Sequence, residues 1–293
     1  MIKEFLQYIQ YEKNYSSHTV LSYHNDLKQF CKQQKTTIES FDPQTINSTH
    51  IQNWIAELMS QKLSGRTISR KISTLKSLWH FLLIRGYAKN NPCIKVIIPK
   101  SKKPLPSFYK LKEMEQALDE TFLTNNFESF RNHLIIELLY LTGIRKSELI
   151  SITDNDFDLT QANLRVIGKR NKQRIIPISI ELSSKITHYI NIRDKDILAI
   201  DKNFFLLSSG KKLYPKLVYR VVHNTMIQYS SLSKQSPHVL RHSFATETLN
   251  YGADINAVKE LLGHSSLAAT QVYTHTSFDE LHNIYKQAHP RAK

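Results

Sequence analysis

The stretch Pro99-Lys-Ser-Lys-Lys-Pro-Leu-Pro106 constrains the fold more than any other. Three prolines in eight residues stiffen it, and its lysines keep it solvated and basic. It follows Asn90-Asn91-Pro92, where a helical pattern stops. The 293 residues therefore read as two domains, 1–98 and 108–293, joined by an extended linker over 99–107. Charge divides at the same place. Residues 1–103 hold 16 Lys and Arg against 6 Asp and Glu, and the remainder 24 against 19, for a total of +15. That balance points to a polyanion partner, with a merely soluble basic surface as the competing reading. Hydrophobic content of 41% suits packed cores rather than disorder. Cys31 and Cys93 lack metal-ligand spacing, so neither a zinc site nor a disulfide scaffold is expected, and a reducing cytoplasm fits. No apolar run reaches the ~20 residues of a membrane span, and no membrane association is expected.

The first domain reads as four helices. Ile2, Phe5, Leu6 and Ile9 share helical spacing. Ser16 or Ser17 caps a second helix with Val20, Leu21, Leu27 and Phe30 along it. Ser48 or Thr49 caps a third, whose buried face is Ile51, Trp54, Ile55 and Leu58. After Ser64-Gly65, a fourth runs from about Arg66 to Ile84, with Ile68, Ile72, Leu75, Leu78, Trp79 and Leu82 inward. Arg66, Arg70, Lys71 and Lys76 are placed on its opposite face, either as contacts for DNA phosphates or as an ordinary solvated surface. Trp54 and Trp79 read as core.

In the second domain a helix over 111–118 precedes a strongly apolar one that stops at Gly143. Arg145 follows on that rigid base; taken alone it reads as a surface arginine paired with Glu148. Residues 163–167 and 174–178 alternate as two strands of a small antiparallel hairpin, and Pro177 puts the second on an edge. The hairpin tip carries Lys169, Arg170 and Lys172, with Arg174 just beyond. Such a tip can enter a groove of DNA, or can protect a sheet edge by charge. Further helices are expected over 179–193 and 214–229, and an amphipathic one after residue 273.

Between Ser236 and Tyr273 the residue types turn chemical. His238 and Arg241 lie three apart behind Pro237, on one helix face. Gly252 and Gly263 read as successive helix stops, and Ile255, Val258, Leu261 and Leu262 as the apolar stripe between them. His264 follows where that helix ends, and Tyr273 nine residues later. Arginine binds phosphate bidentately, histidine moves protons near neutrality, and tyrosine is a nucleophile once its proton is taken. Together they point to attack on a phosphodiester. Each one alone is more ordinarily packing or surface, since the chain has 13 His and 14 Tyr.

Four segments in order carry a resemblance: Leu-Thr-Gly-Ile-Arg-Lys-Ser-Glu-Leu at 141–149, His-Val-Leu-Arg-His-Ser-Phe-Ala-Thr at 238–246, Leu-Leu-Gly-His-Ser at 261–265 and Tyr-Thr-His at 273–275. The chain resembles the tyrosine recombinases, the integrase family, and among them the bacterial Xer recombinases, over nearly its full length. The resemblance implies a mainly α, two-domain fold that clamps DNA, with a small antiparallel sheet in the catalytic domain. Tyr273 then resembles the nucleophile that forms a 3′-phosphotyrosyl link. Arg145 and Arg241 resemble the phosphate-clamping arginines, His264 a further ligand of the phosphate oxygens, and His238 the acceptor of the tyrosine proton. Lys169 resembles the general acid; because Arg170 stands where the family commonly has glycine, Lys172 remains an alternative. The resemblance implies no metal or nucleotide cofactor, since the phosphotyrosyl bond conserves the energy of the broken ester. It further implies duplex DNA as substrate and four protomers per synapse, alike or paired with a related recombinase. A terminal helix would reach the neighbouring protomer, and a septal DNA translocase would activate the enzyme. Resolution of chromosome dimers at cell division is the expected role. An integrase or invertase of a mobile element is the alternative, and a non-catalytic DNA-binding regulator or an RNA-binding protein stands further off.

Overall fold

The computed structural model describes residues 1–94, 96, 107–119, 126–168 and 172–263. The proline-rich linker, Lys169 and Arg170, His264, Tyr273 and the expected terminal helix lie outside the described residues. The chain divides into two units, Met1–Pro104 and Leu105–Lys293, each with its own apolar core.

In the first unit, helix α1 (Ile2–Gln7) continues into a π-helical turn (Tyr8–Glu12) and buries Ile2, Phe5 and Ile9. Helix α2 (Ser17–Gln33) starts at Ser16, whose hydroxyl accepts the Thr19 amide at 3.3 Å. Helix α3 (Ser48–Ser60) is capped by Asn47, not Ser48 or Thr49. The Asn47 side chain accepts the His50 amide at 3.2 Å, and His50 Nδ1 accepts the Asn47 amide at 3.2 Å. This reciprocal pair satisfies two orphan donors at once. Helix α4 (Gly65–Ile84) begins at Ser64 and buries its expected apolar stripe, with Trp79 edge-on to Phe30 and Phe41.

The basic face expected on α4 is corrected. Lys71 is buried and donates to Asp26 Oδ1 at 3.0 Å, and Thr74 donates to Asp26 Oδ2 at 3.1 Å. Arg70 reaches the same carboxylate from an exposed stem, and only Arg66 and Lys76 are exposed without it. The helical turn explains the split: at 100° per residue, Lys71 and Lys76 stand about 140° apart and cannot share a face. Of the apolar residues read along α2, Leu21 is exposed, while the carboxylate of Asp26 is buried on that helix.

The second unit is built on α6 (Phe127–Thr142), mostly apolar after its first turn and buried at every residue from His133 to Thr142. It packs against α8 (Ile180–Asp196), α9 (Pro215–Tyr229) and α10 (Pro237–Asn250), while α5 (Leu111–Asp119) lies on α9. Its few polar groups are partnered: Glu137 accepts Lys185 Nζ at 2.7 Å, and Arg131 donates to the Leu206 carbonyl at 3.1 Å. A short helix, α7 (Lys146–Ser151), leads to an antiparallel sheet ordered β1-β2-β3, with β1 Phe157–Asp158, β2 Asn163–Ile167 and β3 Gln173–Pro177. Leu164 pairs with Ile176 and Arg165 with Ile175. Strand β1 is not legible in the sequence, because two residues show no periodicity. The last described helix is α11 (Ile255–Leu262). Ala257, Val258, Leu261 and Leu262 are buried there, and Ile255, expected in the stripe, is exposed in the first turn.

Gly143 ends α6 with φ of 59°, and a Cβ there would stand 2.5 Å from a Phe244 ring carbon and 2.9 Å from a Leu262 methyl. Gly143→Ala adds both backbone strain and overpacking, and is expected to destabilise the second unit by roughly 2–5 kcal/mol in denaturant unfolding. Gly86 also has positive φ but has nothing within 4 Å, so Gly86→Ala is the milder control. Equal costs at the two positions would show that the packing at Gly143 does not matter.

Candidate active site

Three chain segments converge at the carboxyl end of α11. Each brings an arginine, and each arginine takes a different backbone carbonyl. Arg174, from β3, donates through Nε to the Leu261 carbonyl at 2.7 Å. Arg241, from the second turn of α10, donates through Nη2 to the Leu262 carbonyl at 2.6 Å, and through Nη1 to the Gly143 carbonyl at 2.6 Å. Arg145, at the N-terminal boundary of α7, donates through Nη2 to the Gly263 carbonyl at 3.3 Å. The last carbonyls of a helix have no intrahelical donor and carry partial negative charge, so guanidiniums suit them. Gly263 has φ of 62°, which turns the chain out of the helix at this point.

One buried carboxylate balances these cations. Glu148 Oε1 accepts Arg145 Nη1 at 2.8 Å and Arg174 Nη1 at 3.1 Å. Its Oε2 accepts the Arg145 amide and Arg174 Nη2, each at 2.8 Å. Burial acts to raise the Glu148 pKa, but the bonds from Arg174 and Arg145 outweigh it and hold the carboxyl below its ordinary value. Burial lowers the Arg241 pKa to about 10; the neighbouring Arg145 and Arg174 add to the fall and Glu148 opposes it. Among the described residues, three guanidiniums around one carboxylate leave a formal surplus of two positive charges. A buried cation short of counter-charge gains from an arriving anion, and Arg145, still partly exposed, lies on a concavity shared with Ser147, Glu148, Ile167 and Gly168. The arrangement can bind an oxyanion and stabilise charge that builds on it.

His238 lies in the first turn of α10, exposed at the surface, while Arg241 on the same helix points inward. Partial burial and then the charges of Lys146, Lys234 and Arg241 hold its pKa below the ordinary 6.5, so its imidazole is neutral at neutral pH. Lys172 is exposed at the foot of β3, and its carbonyl accepts the Gly168 amide at 2.8 Å. Of the residues read as catalytic, the structure thus brings Arg145 and Arg241 together and sets His238 on the same helix as Arg241. Arg174, placed near the tip by the sequence, is instead turned inward.

Sequence reasoning missed two things. Glu148 was visible only as a partner for Arg145, whereas it holds two arginines. Arg174 carried a usable signal: the period of two puts it on the same face of β3 as the buried Ile176, while Gln173 and Ile175 face outward.

Comparison with known proteins bears on both units. The profile of the phage integrase family matches residues 108–280, and that of the phage integrase N-terminal SAM-like domain matches residues 2–86. Tyrosine recombinase XerC of Staphylococcus haemolyticus (strain JCSC1435) is 37% identical over 294 residues, covering 99% of this chain and 96% of its own length. Tyrosine recombinase XerD of the same strain is 37% identical over 298 residues, covering 100% and 99%. Among solved structures, the Tn1549 transposon integrase in complex with transposon right end DNA aligns with a TM-score of 0.70 at 19% identity, covering 96% of this chain and 97% of that one. The XerH recombinase bound to difH substrate aligns at 0.68 with 22% identity, covering 97% and 83%. At these identities the structural likeness speaks for the fold.

Glu148→Ala leaves Arg174, whose side chain is 11% exposed, facing Arg145 with no anion between them. Breaking a buried pair this way is expected to cost about 3 kcal/mol of folding free energy at neutral pH. Because the folded pKa of Glu148 is depressed, the wild-type advantage is complete above the ordinary value of 4.5 and is lost as pH falls through the lower folded value. Chemical unfolding of both proteins across that range checks it. A difference that persists undiminished into strong acid would contradict the assignment.

Proposed function

This chain belongs to the phage integrase family and is a tyrosine recombinase, an enzyme that cuts and rejoins DNA at specific sites, and on that premise we propose that it does so through Tyr273, as a recombinase of Xer type. The observation that carries the reading is the meeting of Arg145 and Arg241 on the carbonyls that close α6 and α11, directly before His264 in the chain.

In this reading Tyr273 attacks the scissile phosphorus, forms a 3′-phosphotyrosyl link and frees a 5′-hydroxyl. Arg145 and Arg241 hold the non-bridging oxygens, with His264 as a third ligand, and the surplus positive charge answers the charge that develops there. His238, neutral at working pH, takes the tyrosine proton. Lys169, or Lys172 in its place, gives a proton to the leaving 5′-oxygen. Residues 1–98 form a DNA-binding domain, 99–107 a linker and 108–293 the catalytic domain, and the two domains clamp duplex DNA. Four protomers act per synapse, in the cytoplasm, and the role is resolution of chromosome dimers at cell division with a septal DNA translocase as activator. The chain is as similar to the XerC as to the XerD of one strain, which supports a hetero-pair with a related recombinase without deciding which half this chain supplies. Among the described residues no helix is long and apolar enough to cross a membrane.

Nicked duplexes carrying candidate sites, incubated with chelator and run on a denaturing gel, test the nucleophile. Wild type is expected to leave a DNA-linked band and Tyr273→Phe none, with DNA binding intact in both. Arg145→Ala and Arg241→Ala are each expected to slow attachment by about 10²–10³-fold. Near-normal attachment by either arginine variant would remove it from the phosphate clamp.

The depressed pKa of His238 sets the acid side of the rate. At limiting DNA, the attachment rate is expected to hold as pH falls through 6.5 and to drop only below it, where His238 gains its proton. Lys146→Ala removes one charge that depresses it, so the drop moves to higher pH. A pH profile unmoved in that variant would argue that His238 is not the acceptor.

A further inference from the structure

A basic residue beside a hairpin tip is ordinarily a contact for DNA phosphate, and Arg174 stands in that place in the sequence. Its side chain does something else. All three guanidinium nitrogens are engaged inside the protein: Nε on the Leu261 carbonyl, Nη1 and Nη2 on the two oxygens of Glu148. Gly263 leaves room for it, since a Cβ there would stand 3.1 Å from Nη1 and 3.3 Å from Cδ of Arg174.

Glu148 is shared unequally. Arg174 meets it with two nitrogens on two oxygens, the paired geometry that carboxylate and guanidinium favour. Arg145 meets it with one side-chain nitrogen, Nη1, and among the described residues its Nη2 keeps only the long 3.3 Å contact to the Gly263 carbonyl. Glu148 is 4% exposed, so its charge cannot turn to water. Without Arg174, Arg145 is the one guanidinium among the described residues left to pair with that buried carboxylate. Arg145 would then be drawn into the paired geometry and neutralised.

We propose that Arg174 is a positioning residue of the phosphate site rather than a DNA contact. By occupying the paired seat on Glu148 it leaves Nη2 of Arg145 for a phosphate oxygen, and by holding the Leu261 carbonyl it keeps the end of α11 where Arg241 meets it. The proposal rests on the recombinase reading above.

The test compares wild type, Tyr273→Phe, Arg174→Gln, Arg174→Lys and the double variant Arg174→Gln/Glu148→Gln on one nicked duplex. Two quantities are measured: DNA affinity with its salt dependence, and the single-turnover rate of covalent attachment at saturating DNA. Arg174→Gln is expected to bind as wild type does, with the same salt slope, and to attach ~10²-fold more slowly. Arg174→Lys keeps the charge without the fork and falls between. The double variant is expected to regain about tenfold over Arg174→Gln, because a neutral amide at 148 no longer captures Arg145. The rates are compared on folded, DNA-saturated protein, so a recovery by the second substitution reports the freeing of Arg145 and not a recovery of stability. The proposal is overturned if Arg174→Gln loses affinity and about one unit of salt slope while bound DNA reacts at the wild-type rate, which is the behaviour of a phosphate contact. It is also overturned if the double variant is no faster than Arg174→Gln. Should Arg174→Gln fail to fold, the double variant, which removes both buried charges, is compared with wild type: attachment about tenfold slower at unchanged salt slope is expected, and a loss of ~10²-fold or more, or of about one unit of salt slope, overturns the proposal. A wild type that binds the duplex but never attaches to it overturns the recombinase reading itself, a result distinct from slow variants beside a fast wild type.

Discussion

The carboxyl end of α11 and the arginines on it hold the second unit's chemistry in place. Leu261, Leu262 and Gly263 present three successive carbonyls, and Arg174, Arg241 and Arg145 take one each. The helix end needs donors, and the guanidiniums need negative charge at close range because they crowd one another. Glu148 supplies the rest of that charge from a buried position. Each partner thus removes a cost the other would otherwise carry. The balance stops short of neutrality, and that shortfall is what an anion can use.

Such a cluster needs a base that does not give. Helix α6 provides it by being buried at every residue from His133 to Thr142, and at its end the Phe244 ring and a Leu262 methyl leave no room for a Cβ on Gly143. The Gly143 carbonyl at that packed helix end is the acceptor for Arg241. A phosphate-binding group on that foundation has little freedom to lose when it meets its ligand.

A parallel rule operates in the first unit. Asp26 is buried on α2 and gathers Arg70, Lys71 and Thr74 from α4. In each unit a buried carboxylate turns particular basic residues inward, Asp26 in the first and Glu148 in the second. Net charge therefore locates the kind of partner but not the residues that meet it. Sequence alone places Lys71 and Arg174 among the outward cations, and in the fold both face a carboxylate.

Local chemistry was legible because local rules set it. The apolar stripes of α3 and α4, the cap at Ser16, Pro237 at the head of α10 and the stops at Gly143 and Gly263 all follow from spacing, side-chain caps and positive φ. So did the pairing of Arg145 with Glu148, which a separation of three residues allows by itself. What sequence alone could not decide was every choice that depends on a distant partner. Leu21 and Ile255 lie at stripe positions but find no core opposite them, and both are exposed. Arg174 and Glu148 are 26 residues apart, and Arg241 and Gly143 are 98 apart. Only folding brings a carboxylate or a helix end within hydrogen-bond reach, and only then does a surface cation become a buried one. The residue types that mark the chemistry were thus determined by the sequence. Tertiary structure decided which of the cations are held inside, because the cost of burying a charge depends on what stands within about 3 Å of it.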